Sequence, residues 1–171
     1  MDSKLETLQQ ILRAATEGMS ETDLNWHPEG KWCTAEVLEH LYLTYTGTIK
    51  GFERMLDAGK PNTTPASLKH RLRSLVVFGF NYLPPGRKSP QQAMPGRLPR
   101  EKVRAELGEK IGRMEEVIGQ SEQRFGRGPI LDHPILGPLT AEQWRRFHLI
   151  HGRHHEKQIE RLREQMRAAE H

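Results

Sequence analysis

His148, His151, His154 and His155 place four of the chain's nine histidines in eight positions. On a helix, His151 and His155 fall one turn apart on the same face. They share it with Trp144, Phe147, Ile159, Leu162 and Met166, spaced at three- and four-residue steps. Two imidazoles so placed suit one divalent ion, which needs several ligands within about 2.0–2.2 Å of a single point. The same pair also reads as two hydrogen-bonded residues of a helical core, and the residues alone leave both readings open. Gly152 follows His151, so the segment lacks the glutamate that serves as general base in the HExxH protease motif. A third ligand has to come from another element.

The helix carrying these residues is predicted over 140–168. Thr140 and Gln143 have the spacing of a capping box, and Leu139 and Trp144 that of a hydrophobic staple. A second helix is predicted from Cys33 or Thr34 to residue 57, with Glu36 at the third position after Cys33. Val37, His40, Leu41, Thr44, Thr48 and Phe52 lie along one broad face of it. His40 is therefore inward or at the edge of that face, and it is the best candidate for the third ligand. Its alternative is a histidine partnered with Glu36 or with a backbone carbonyl.

Two further amphipathic segments complete the set. Residues 3–16 have Ser3 and Glu6 as a capping box and Leu5, Leu8, Ile11, Leu12 and Ala15 as the apolar face. Residues 99–125 turn Val103, Leu107, Ile111, Met114 and Ile118 inward. Trp26 and Trp32, at the ends of a polar loop over 18–31, are placed to lid an open bundle end. Seven of the eleven prolines lie between Pro61 and Pro99. A short helix is expected there with Thr64 as cap and Pro65 as first residue, stopped by Pro84, Pro85 and Gly86. Residues 87–98 read as an irregular crossover, and a connection this long should pack down, with Phe78, Phe80 and Tyr82 as anchors. No strand is expected, including over 126–139. The predicted architecture is an all-α four-helix bundle with a long, partly helical crossover between helices two and three. It forms a single domain over 1–171.

Composition narrows the function classes. Apolar residues make up 35% and charged residues 28%, and no run is long enough to span a membrane. The opening MDSKLETLQQ reads as a helix and not as a signal peptide, so a cytoplasmic compartment is expected. The single Cys33 excludes an internal disulfide and a thiolate-rich metal site. Between Pro61 and Arg104, nine Lys or Arg stand against one acid, Glu101. That strip suits an anionic partner or a solvated surface. It lacks the aromatic–basic alternation of nucleic-acid modules, and a nucleic-acid partner is not expected.

Two segments carry a resemblance. LNWHPEGKWCTAEVLEHL, with Trp32, Glu36, His40 and Leu41, and LTAEQWRRFHLIHGRHHEKQI, with Trp144, His151, His154, His155 and Gln158, resemble the DinB-like superfamily of four-helix bundles. The remaining helices match only as amphipathic segments. Cys33 stands where that family more often has Ser, and the crossover is longer than in minimal members. The resemblance implies that His40, His151 and His155 bind a divalent metal. By position, His148, His154, Gln158 and Glu36 are candidates to support those rings or line the pocket, and His148 reads equally as a polar residue at the edge of the core. The resemblance also implies a metal-dependent transferase using a low-molecular-weight thiol and an electrophilic acceptor. Two alternatives stand beside it: a non-catalytic interaction protein binding an anionic partner, and a metal-assisted hydrolase. Imidazole ligands favour zinc first and nickel second. A homodimer is expected from the resemblance and from Leu38 and Ile150, apolar residues outside the main stripes.

Overall fold

The computed structural model describes residues 3–84 and 89–169. Its frame is four long helices: α1 (Lys4–Thr16), α3 (Thr34–Ala58), α5 (Arg100–Phe125) and α6 (Ala141–Ala169). Three of the four, α1, α3 and α6, start at the capping pairs expected for them. Ser3 and Glu6 close a capping box on α1, with Ser3 N donating to Glu6 Oε2 at 2.6 Å. Thr140 and Gln143 do the same for α6, at 2.9 and 3.2 Å. On α3, Cys33 N donates to Glu36 Oε2 at 2.8 Å. Glu36 therefore works as a cap on its own helix. Leu5, Leu8, Val37, Leu41, Phe52, Met114, Ile118 and Ile159 are buried in one shared core.

α3 packs mainly on α5, and α1 mainly on α6. α3 and α6 face each other less closely, so long side chains, histidines among them, span the space between them. Gly152 explains itself here. A Cβ at this position would land on Leu8 Cδ1, so α1 can approach α6 only where a side chain is missing. Arg145 then ties α6 to α5 through Glu115 at 2.7 Å and Glu122 at 2.8 Å.

Several expectations are corrected. A short helix, α2 (Glu21–Asn25), interrupts the loop over 18–31, started by a Ser20–Asp23 capping box. The return over 126–139 is a β-hairpin of β1 (Pro129–His133) and β2 (Gly137–Thr140), not a strandless loop. Its proline and glycine content hides the alternation, yet Ile130, Leu131 and Leu139 are all buried. Trp144 Nε1 donates to Leu131 O at 3.1 Å and anchors the hairpin to α6.

The crossover helix, α4 (Leu68–Phe80), is capped by Ser67, not by Thr64. Thr64 is committed elsewhere, because its N and Oγ1 both donate to Asp132 Oδ2, at 2.9 and 2.7 Å. α4 ends at Asn81, whose φ of 48° is left-handed, before the prolines are reached. Pro85, Gly86, Arg87 and Lys88 lie outside the described residues. Of the three expected anchors only Phe78 is buried, while Phe80 is 76% and Tyr82 51% exposed. Leu38 and Ile150, at 4% and 5% exposure, are core residues and offer no outer apolar patch. Among the described residues, no helix is long and apolar enough to cross a membrane.

Candidate metal centre

His40, two turns into α3, meets His151 and His155 of α6 across the core. The Nε2 atoms of His40 and His151 are 3.4 Å apart, and those of His155 and His151 are 3.1 Å apart. One ligand atom from each of the three lies within 4.8 Å of the others. The rings are fixed from behind. Nδ1–H of His40 donates to the carbonyl of Ala93 at 2.8 Å, and Nδ1–H of His155 to Gln158 Oε1 at 2.9 Å. Each bond commits the proton to Nδ1 and leaves the Nε2 lone pair facing the cluster. Phe147 stacks on the His151 ring at 5.6 Å and 11°, and Trp32 lies 5.4 Å from the His40 ring.

This arrangement is electrostatically incomplete as protein alone. A neutral His151 has one ring proton and can donate from Nε2 to only one neighbour. At least one Nε2···Nε2 contact then sets acceptor against acceptor. If the proton sits on Nδ1 instead, it is buried there without a partner among the described residues. Protonating the rings is no remedy. Burial, then the neighbouring histidines, pushes His151 well below its usual pKa, and burial first of all holds His155 at about 3. His40 is lowered mainly by burial, against the opposing pull of the Ala93 carbonyl. A cation at the focus satisfies all three lone pairs. Ligand bonds of about 2.0–2.1 Å in tetrahedral or octahedral geometry set neighbouring nitrogens roughly 2.9–3.4 Å apart, which spans the 3.1 and 3.4 Å separations from His151 to His155 and to His40. The cluster is capable of coordinating a divalent metal.

The other expected site residues separate. Gln158 touches the cluster through His155. His154 is half-exposed, its ring 5.1 Å from that of His155, on the outer side. His148 is fully buried and its Nε2 pairs with Thr48 Oγ1 at 3.1 Å, a turn away from the cluster. Glu36 is spent on the Cys33 amide.

Two contributors had no signal in the sequence. One is the Ala93 carbonyl, delivered by a 3-10 turn over Gln91–Ala93. The other is Glu39, buried on α3. Its carboxylate accepts the amides of Gly96, Arg97 and Leu98 at 2.8, 2.7 and 2.9 Å. These bonds pin the crossover to α3 and so carry Ala93 to His40.

No curated protein matches the chain in sequence. Among solved structures it is similar to YfiT from Bacillus subtilis, described as a probable metal-dependent hydrolase with an unusual four-helix bundle topology. The TM-score is 0.59 at 22% identity, over 95% of this chain and 83% of that one. At that identity the likeness speaks for the fold. The sequence model of the DinB superfamily matches residues 4–159, nearly the whole length. With the bundle and its three-histidine cluster, that match makes the chain a member of the DinB superfamily.

Proposed function

We propose that the protein is a metal-dependent hydrolase whose ion is held by Nε2 of His40, His151 and His155. The observation that carries the reading is the convergence of three Nε2 atoms, with the Nδ1 protons of His40 and His155 taken by Ala93 O and Gln158 Oε1. The description of YfiT as a probable metal-dependent hydrolase on the same fold adds to it. Zinc is the first candidate and nickel the second, since imidazole suits both. When bound, such an ion supplies Lewis acidity and makes water acidic enough to attack near neutral pH.

The chain's own residues do the rest. Three neutral imidazoles leave most of the ion's charge in place. Ala93 O and Gln158 Oε1 keep the rings aimed, and Phe147 and Trp32 limit their rotation. The Glu39–amide contacts hold the crossover wall of the site. Transfer from a small thiol, the reaction implied by the sequence resemblance, would use the same three nitrogens.

The test starts with metal analysis of protein purified without a histidine tag. A panel of carboxylic esters, amides and phosphoesters is then assayed. Turnover should disappear on chelation, return with zinc, and be absent in His151→Ala. Hydrolysis that survives both chelation and that substitution would overturn the reading. Turnover of an electrophile only when a small thiol is added would move the assignment to transfer.

A further inference from the structure

A second set of side chains on α6 takes no part in the histidine cluster. Arg146, Arg153, Lys157 and Arg161 recur at steps of seven, four and four residues, which keeps them on one helical face. They line a cleft of about 590 Å³ between α6, the start of α1 and the segment after α4. That volume is in the range of small-molecule sites. Among the described residues no acidic side chain lines it, although the helix carries Glu156 and Glu160 nearby.

Two lining cations are already committed. Lys4 pairs with Glu142 at 2.5 Å, and Arg146 Nη2 donates to Asn81 Oδ1 at 2.7 Å and to the Phe78 carbonyl. Arg146 thereby fastens the end of α4 and builds the cleft wall. Arg153, Lys157 and Arg161 make no ion pair among the described residues. Arg153 and Arg161 are eight residues apart, about 12 Å along the helix, so one small monoanion cannot meet both comfortably. Guanidinium forks match phosphate oxygens, and the lysine between them adds a point charge. The half-exposed ring of Tyr82, after α4, and the side chain of Leu149, one turn before Arg153 on α6, add apolar lining.

We propose that this cleft binds an organic anion carrying two or more phosphate groups, with its apolar or planar part against Tyr82. Among the described residues, no basic side chain of the crossover lines the cleft. It is built chiefly by α6, and it does not depend on the histidine cluster being loaded.

Calorimetric titration of the metal-free, tag-free protein at low salt tests it, with pyrophosphate, adenosine diphosphate and adenosine as probes. Both phosphates should bind and adenosine should not. Arg153→Ala/Arg161→Ala should weaken the diphosphate by about tenfold or more, as expected for loss of charge-assisted hydrogen bonds. Arg153→Lys/Arg161→Lys should recover part of that loss, which separates charge from folding. His151→Ala should bind the diphosphate as the parent does, so the result stands apart from the metal reading. No binding of either phosphate up to about 10 mM would overturn the proposal. So would unchanged affinity in the double alanine variant, or affinity that vanishes with His151 instead.

Discussion

Two groups of histidines turn into the core, and they do so for different reasons. His133 and His148 each have one ring nitrogen partnered by the fold, while Nδ1 of His148 has no partner among the described residues. Nδ1 of His133 accepts the amides of Ile135 and Leu136 at 3.1 and 3.2 Å, and Nε2 of His148 pairs with Thr48. Their rings pack into Trp144 and Phe147. His40 and His155 are buried and His151 partly so, and their Nε2 atoms meet mainly one another. Burial and a depressed pKa are common to both groups. What distinguishes the candidate centre is that three Nε2 atoms meet, with the Nδ1 protons of His40 and His155 taken by Ala93 O and Gln158 Oε1.

The largest test of that contrast is stability in the absence of metal. His148→Ala removes a fully buried ring wedged between Tyr45 and Trp144, and should cost about 3–4 kcal/mol. His151→Ala removes packing but also relieves an acceptor–acceptor contact, so its cost should be smaller, about 1 kcal/mol. Urea unfolding of the two metal-free variants reads the difference. Equal losses would remove the distinction between the groups.

Acid should act on the packing histidines. Burial holds His133 at about 4, below the value of roughly 6.5 in an unfolded chain. Above pH 6.5 the ring is neutral in both states and no penalty exists. As pH falls from there toward 4 the unfolded chain takes up the proton first. Its share of stability is then lost, approaching about 3 kcal/mol. His133→Asn should flatten the fall in urea midpoint between pH 6.5 and 4. A profile just as steep would assign the effect elsewhere.

Gly152 separates the needs of packing from those of the site. Gly152→Ala should destabilise by about 2 kcal/mol, because Leu8 is fully buried and has to move. A variant of unchanged thermal midpoint would show that α1 can slide away. The smallest effect is reserved for the ring support. Gln158→Ala leaves all three ligands in place and should weaken zinc about tenfold, as such supporting bonds do. Unchanged affinity would mean that Gln158 does not set the tautomer.

Much of this was legible in the sequence because it rests on short-range chemistry. The capping pairs at Ser3–Glu6 and Thr140–Gln143 mark two helix starts, and the stripe through His151 and His155 gives their shared face. His40 is recognisable as inward from its place between Val37 and Leu41. The hairpin was not legible, since its strands are short and carry Pro129, Gly137 and Pro138, and burial comes only from packing on Trp144. Nor were the crossover's contacts. Thr64 has a cap's chemistry, but its partner Asp132 is 68 residues away. The Ala93 carbonyl is invisible in any sequence, because every residue has one. Glu39 carries a charge that reads as solvent-facing until the amides of Gly96, Arg97 and Leu98 are found around it.

The central claim is that three ring nitrogens act as one ligand set while the other buried histidines do not. Calorimetric zinc titration of tag-free protein compares the parent with His40→Ala, His151→Ala, His155→Ala and His148→Asn. The first three should each lose more than about 100-fold in affinity, beyond what loss of a supporting bond gives, and His148→Asn should stay close to the parent. Parent-like zinc binding by both His151→Ala and His155→Ala would contradict the account.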